Sequence, residues 1–406
     1  MTSDFPPPGV RSCPCCGAAI VGPPAFVHPA VPILLNVLAP TADEAYRAPA
    51  GRLELVECPA CGTVFNAAFA GVPYGPDYFL DPTRSTRYRA HLDEVSDRLA
   101  ARMAGHAAFS VVDIGAGQGS FLAHLVERLG PRVSRAHGFD PAFRAAEARL
   151  PGNVAVTATR LDAPGAAGLG FAVDVVVTRH VVEHVTDPAA FLAAPRASLA
   201  APFTLLVETP NVAHTLERGL LHDFCYEHCT MLSAPALAAV LQRAGYAHVH
   251  VERAFGGEYL LAFADTPGTR PAAPAPTTAE PRSAARLTDV ATHFIATHRD
   301  RLRHARTRGP VALWGGAGKG ALFAHLVDPD RALIDTVVDI HPTKQGQHLP
   351  GTAHRIASPE AARNRGVRTI LVANPTYIDE VTTLCTSLNF HTQIECVGNA
   401  PLTRTT

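Results

Sequence analysis

Val111–Leu122 reads VVDIGAGQGSFL, and the fold class is legible in how this stretch is built. Apolar residues run into Asp113. Gly115, Gly117 and Gly119 follow at alternate positions, and from Phe121 the pattern turns helical. A strand that ends in a glycine turn and opens a helix lets the backbone approach a nucleotide-like ligand closely, because no side chain intervenes. The dinucleotide fingerprint G-x-G-x-x-G needs a glycine at position 120, and Ser120 stands there. Taken alone, the triplet also fits an ordinary strand–turn–helix made of small residues.

The flanking sequence argues for the ligand. Ala136–Phe139 is strand-like and closes on Asp140, an acceptor-only carboxylate whose two oxygens suit the two hydroxyls of a ribose. Val173–Thr178 (VDVVVT) is a β-branched run, as expected of a strand covered on both faces of a parallel sheet. Strand and helix signals alternate, which predicts a doubly wound α/β domain with its ligand at the carboxyl ends of the strands. Asp113–Gly119 resembles the D-x-G-x-G-x-G turn of S-adenosylmethionine (SAM) methyltransferases. The resemblance implies SAM as cofactor, held by Asp113, Gly115, Gly117, Gly119 and Asp140. It also implies an adenine contact from Asp162, at the expected end of the third strand.

The 406 residues suffice for two or three domains with real cores. Hydrophobic content of 47% and charge of 17% suit a soluble globular chain. The net charge of −1 gives no reason to expect nucleic acid or an anionic membrane as partner. No apolar run approaches the roughly 18–20 residues of a membrane span. MTSDFPPPGV lacks the basic and apolar regions of a secretory leader, so a cytoplasmic protein is expected.

The nine cysteines cluster in a way that points to a metal in a reducing compartment. Cys13-x-x-Cys16 and Cys58-x-x-Cys61 are two knuckles, each with Pro after the first Cys and Gly after the second. Together they predict a closed four-sulfur zinc site, structural because no coordination position is left open. Cys15 beside them reads as a bystander. Between the knuckles, the runs 30–38 and 53–56 are candidates for the core of a small subdomain.

Tyr74 and Tyr78 lie in a Pro/Gly-rich loop, facing either a ligand or the next domain. After the fourth strand, His180, Glu183 and His184 fall at the ligand end of the sheet. H-x-x-E-H is similar to a protease metal motif, but that motif belongs on a helix without an upstream glycine turn. The expectation is therefore that His180 faces substrate while Glu183 or His184 satisfies backbone groups. Leu205–Val207 is a fifth strand, and 249–251 with 259–264 an antiparallel pair that ends the sheet. Tyr226-Glu227-His228 is a polar triplet before a helix capped by Ser233. A neutral histidine beside a carboxylate is the usual general base near neutral pH, and a loop-stabilising polar cluster is the alternative.

Residues 266–285 are rich in Pro, Ala and Thr and read as a linker. A helix over about 285–306 leads into a second strand–glycine turn–helix at Val311–Gly320, with further strands at 337–339 and 370–373. This predicts a smaller Rossmann-like domain whose glycine turn either holds a phosphate-bearing group or only packs. The domain expectation is 1–85 zinc-binding, 86–265 class I methyltransferase core, 266–285 linker and 286–406 C-terminal Rossmann-like.

The knuckles, DIGAGQGSF, the Y-E-H loop, WGGAGKG, VDIHPTKQGQHLPGT and ANPTYIDE resemble the three-domain sugar C-methyltransferases across nearly the whole chain. Those enzymes methylate a carbon next to the ketone of nucleotide-linked keto-deoxy sugars in antibiotic pathways. The resemblance implies His228 as catalytic base with Glu227 beside it, and Tyr78 and His180 in the substrate pocket. The family typically has Y-H-E-H where this chain has Cys225-Tyr226-Glu227-His228, so the tyrosine is displaced by one position. Carbon becomes a nucleophile only when a base removes a C–H proton made acidic by a neighbouring carbonyl and a donor stabilises the enolate oxygen. His228 is the expected base, Glu227 its orienting partner, and Tyr78, Tyr226 or His180 the enolate donor. The alternative is O-, N- or C-methylation of a non-sugar intermediate. Either way the partner is a small molecule, and the chain is expected to be a monomer or homodimer.

Overall fold

A computed structural model describes residues 11–75, 78, 82–144, 150–161, 165, 168–199, 202–268, 286–398 and 403–405. Asp162 and most of the expected linker lie outside them. Near the N-terminus, β1 (Arg11–Ser12) pairs with β2 (Ala19–Ile20). β3 (Phe26–Pro32), β4 (Ala50–Glu57) and β5 (Val64–Asn66) then form an antiparallel sheet.

The large sheet holds β6 (Phe109–Ile114), β7 (Val133–Phe139), β8 (Val154–Thr157), β9 (Val175–Arg179) and β10 (Thr204–Pro210), all parallel. β11 (Thr230–Met231) leaves this unit and pairs with β5, so the N-terminal sheet takes its fourth strand from residues far along the chain. β12 (Ala247–Ala254) and β13 (Tyr259–Asp265) complete the large sheet as an antiparallel pair beside β10. Its order is β12-β13-β10-β9-β6-β7-β8, the class I methyltransferase-like α/β arrangement.

Side chains alternate across a strand, so each strand of this sheet feeds two cores. Val111, Val175, Val177 and Leu206 face the helices Thr86–Arg102 and Ser120–Leu129. Val112, Val176, Leu205 and Val207 face the helices Pro188–Ser198 and Ala234–Arg243. That double burial is why the central strands read as continuous apolar runs. The third strand is Val154–Thr157, so it ends before the Leu161-Asp162 position expected for it.

The C-terminal part opens with the helix Leu287–Arg306. Its sheet holds β14 (Val311–Trp314), β15 (Thr336–Val338), β16 (Ile356–Ala357), β17 (Thr369–Val372), β18 (Gln393–Cys396) and β19 (Thr403–Thr405). The order is β16-β15-β14-β17-β18-β19, parallel except for β19.

One apolar cluster joins Leu35, in the turn after β3, with Leu53 and Val64 of the N-terminal sheet to Leu221, Phe224 and Tyr226, and these to Phe294, Leu322 and Phe323 of the C-terminal part. The segment 221–231, expected as a polar loop, is therefore largely core. At the C-terminal glycine turn, a Cβ on Gly320 would fall 1.9 Å from the Gly315 carbonyl oxygen, backbone against backbone. Gly320→Ala is expected to lower stability by about 1–3 kcal/mol, read as a fall in the midpoint of thermal unfolding.

Candidate active site and metal centre

The two cysteine knuckles meet. Cys13 Sγ lies 3.6 Å from Cys61 Sγ, and Cys16 Sγ lies 3.6 Å from Cys58 Sγ. The four sulfurs lie within 4.8 Å of one another. A tetrahedron with Zn–S bonds of about 2.3 Å has S–S edges of about 3.8 Å. Gly17 and Gly62 take positive φ (72° and 76°), which closes each turn. Their amides donate to the Cys13 and Cys58 carbonyls at 2.9 Å. The hydrogen bond with Cys13 and burial push the Cys61 thiol up to about 12, so buried thiolates here call for a cation. The group can hold a metal such as zinc.

At the first glycine turn, Gly115, Gly117 and Gly119 have φ of 80°, 56° and 80°. A Cβ on Gly115 would lie 2.2 Å from the Val181 side chain, whereas one on Gly117 meets nothing within 4 Å. The turn thus packs tightly behind and leaves room in front. Asp140 was expected to offer both oxygens to a ribose. Instead Oδ2 accepts from the Gly117 amide at 2.8 Å and Oδ1 from the Ala142 amide at 2.7 Å. Its carboxylate first holds the turn to the end of β7, with further lone pairs left for a ligand. Asp113 is buried with Oδ1 unpartnered among the described residues. Burial lifts its carboxyl to about 7, Arg179 opposing and Asp140 adding to the shift.

A second cluster forms where β9 leads into the turn Val182–His184. The donor atoms of Glu183, His184 and His228 lie within 4.8 Å of one another, and the two imidazole rings meet edge-on with centroids 4.9 Å apart. His228 Nδ1 and Glu183 Oε1 are shielded from solvent and have no hydrogen-bond partner among the described residues. Burial above all, with His184 next, depresses the His228 imidazole to about 3, so it is neutral at ordinary pH. His184 Nδ1 lies 2.9 Å from the Glu227 carbonyl and 2.6 Å from the Tyr74 hydroxyl. It satisfies backbone, as the sequence suggested. The cluster has the donors for a metal ion, but the His180 ring, Nδ1 3.6 Å from Glu183 Oε1, already supplies compensating positive charge.

Glu227, expected to orient His228, turns elsewhere. Its oxygens accept from the Leu35 amide at 3.3 Å and the Tyr78 hydroxyl at 2.9 Å. Asn36 Nδ2 donates to the same hydroxyl at 3.0 Å. Glu183 is the carboxylate next to His228. Tyr226 corrects the sequence reading as well: its ring is buried beside Phe69, and its hydroxyl accepts from the Ala70 amide at 2.9 Å.

His180, expected to face substrate, stands between two carboxylates. Nε2 is 3.1 Å from Glu208 Oε1, and Nδ1 faces Glu183. Burial alone would depress this imidazole, but the two carboxylates outweigh it and raise it to about 10. Glu208, fully buried, also accepts from Arg179 Nε at 2.9 Å and lies 2.8 Å from His91 Nε2. Thr209 Oγ1 donates to Glu183 Oε2 at 3.0 Å. The sequence reading missed Glu208, Arg179 and His91. The only available signal was the charge in Arg179 and Glu208 at the ends of two apolar strands.

Residues 82–251 match a family model described as a methyltransferase domain, and residues 282–389 match a C-methyltransferase C-terminal domain. The chain thus carries a methyltransferase domain. More particularly, that domain is followed by a C-methyltransferase C-terminal domain. No curated protein matches its sequence. Among solved structures it is similar to an O-methyltransferase family protein from Burkholderia thailandensis (22% identity, 44% of this chain and 56% of that one, TM-score 0.35). It is also similar to a putative O-methyltransferase from Nostoc punctiforme PCC 73102 (15%, 43% and 57%, 0.35), and to a SAM-dependent methyltransferase from Aquifex aeolicus (16%, 46% and 99%, 0.34). The chain spans little more than half the length of the first two. Among the described residues no helix is long and apolar enough to cross a membrane.

A histidine raised on folding contributes stability below its unfolded pKa of about 6.5 and loses it as pH climbs toward the folded value. His180 should therefore cost the protein stability between about 6.5 and 10. His180→Gln is expected to flatten the fall in unfolding midpoint over that window, measured by thermal denaturation at several pH values.

Proposed function

We propose that this enzyme methylates a carbon adjacent to a ketone, on a nucleotide-linked keto-deoxy sugar or a related secondary metabolite, with His228 as the base. The observation that carries the reading is the place of His228: its Nδ1 has no hydrogen-bond partner among the described residues, and it lies beside Glu183 and His184. That cluster adjoins the cofactor turn, since Gly115 backs onto Val181, the residue between His180 and the Val182–His184 turn. A matching C-methyltransferase domain supports carbon as the acceptor atom.

The groups at the first glycine turn suit SAM. Gly117 leaves space in front of the backbone, and Asp113 Oδ1 is an acceptor without a donor. When bound, SAM supplies the electrophilic methyl. His228 Nδ1 takes the proton from the acceptor carbon, and Glu183 steadies the imidazolium that results. Tyr78 is the hydroxyl we assign to the enolate oxygen; its one proton goes to Glu227 here, so in this role it turns from that carboxylate to the enolate while Asn36 still donates to it. We read the four-cysteine group as a structural zinc site. It belongs to an N-terminal unit of about residues 1–85, ahead of a methyltransferase unit over 86–265 and a C-terminal unit over 286–406.

Two measurements test this. In deuterated buffer without SAM, the protein is expected to exchange the proton next to the ketone of an accepted keto sugar. His228→Gln should slow that exchange by about 100-fold or more while binding SAM as before. Exchange at the original rate would remove His228 from the role. Comparing Glu183→Gln with Glu227→Gln separates the two carboxylates: the first is expected to lower turnover more, and the reverse order would restore Glu227 as the partner. For the metal, one zinc per chain is expected by elemental analysis, with Cys58→Ser losing it.

A further inference from the structure

The second glycine turn has a definite set of partners. Gly316 N donates to Asp339 Oδ2 at 2.9 Å, Gly318 N to the Leu35 carbonyl at 3.2 Å and Gly320 N to the Ala317 carbonyl at 3.0 Å. Three of its amides are thus occupied within the protein. Two neighbouring residues of the turn, Gly318 and Lys319, hold two different segments next to the site described above.

The Gly318 arm runs through the turn that follows β3. The Leu35 carbonyl accepts from Gly318, and the Leu35 amide donates to Glu227 Oε1. Asn36, next in sequence, holds the Tyr78 hydroxyl. The Lys319 arm runs to the loop that carries His228. Lys319 Nζ lies 3.0 Å from Asp223 Oδ2 and 2.8 Å from Glu258 Oε1, both carboxylates buried. Asp223 precedes His228 in the same short loop. Beside it, His222 lies 2.8 Å from the carbonyl of Ala373, at the end of β17. Glu258 in turn accepts from Asn374 Nδ2 at 2.9 Å and Thr376 Oγ1 at 2.6 Å.

A buried carboxylate left without its cation costs several kcal/mol, so this pairing is a strong constraint on where the loop can sit. We propose that the C-terminal glycine–lysine turn is a clamp on the methyl-acceptor site, with Lys319 a positioning residue that fixes the His228 loop through Asp223. The inference rests on the reading of His228 as the base for its catalytic consequence, but the clamp itself can be tested without it. Lys319 touches neither reacting atom. It acts by holding the loop in register with the Leu35–Asn36 arm.

The test uses the full-length, metal-replete protein. Hydrogen exchange followed by mass spectrometry compares wild type, Lys319→Met and Lys319→Arg. The expected result is exchange at least tenfold faster over 221–230 in Lys319→Met, with 109–140 unchanged and substantial recovery in Lys319→Arg. SAM affinity by calorimetry should stay within twofold. On an accepted keto sugar, turnover should fall at least tenfold with the KM for SAM unaltered. Unchanged exchange over 221–230, or acceleration spread evenly along the chain, would overturn the clamp. Fast exchange over 221–230 with full turnover would overturn the positioning role. If Lys319→Met does not fold, Asp223→Asn weakens the same ion pair at the loop end. It is expected to give the same local pattern at smaller amplitude, and its absence would count against the proposal. Should the chain accept no keto sugar, the exchange data alone decide the clamp while the proposed acceptor fails.

Discussion

A loop that runs into a protein interior must find partners there for its own backbone and polar side chains, because buried groups left without them are costly. The segment 221–231 meets that constraint by borrowing from two distant parts of the chain and from its own apolar side chains. Its exit pairs as β11 with β5 of the N-terminal sheet. Its entry is held through His222 on the Ala373 carbonyl and Asp223 on Lys319, both from the C-terminal part. Leu221, Phe224 and Tyr226 fill the apolar cluster between those parts, each large side chain contributing about 1.5–3 kcal/mol by burial. Removing any one contributor would expose groups that the other two cannot satisfy.

The same constraint explains the electrostatics around the site. Glu208, Glu183, His180 and Arg179 lie at the carboxyl ends of β9 and β10 or just beyond. Withdrawn from water, the carboxylates keep their charge only because cations face them, and His180 stays protonated because two carboxylates flank it. His228 escapes this pairing. Burial disfavours its protonated form, and its Nδ1, shielded from solvent, has no hydrogen-bond partner among the described residues. A charged, paired set therefore stands next to a neutral imidazole.

The two glycine turns share a sequence style and differ in use. In the first, the Cβ space at Gly117 is open, and Asp140 braces the loop from the neighbouring strand. In the second, Asp339 braces Gly316 in the same manner. There the Gly318 amide is taken by Leu35 and the following lysine by two carboxylates. Strand, turn and helix are the same local solution to close backbone packing. What lies in front of the turn decides between ligand and protein.

Much was legible from the residues alone. The apolar residues leading into Asp113 and the β-branched run at 173–178 mark central strands, because a strand covered on both faces leaves few polar positions. The knuckle spacing brought Cys13, Cys16, Cys58 and Cys61 to one point because each C-x-x-C turn is locally determined. Tyr226, Glu227 and His180 were misjudged for a common reason. Their roles depend on which distant side chain fills the neighbouring space, and Ala70, Leu35 and Glu208 are far away in sequence. Periodicity and turn chemistry act over a few residues, so they set elements and knuckles. The orientation of a polar side chain in a core built from three segments is set by long-range packing and charge, which only the tertiary structure decides.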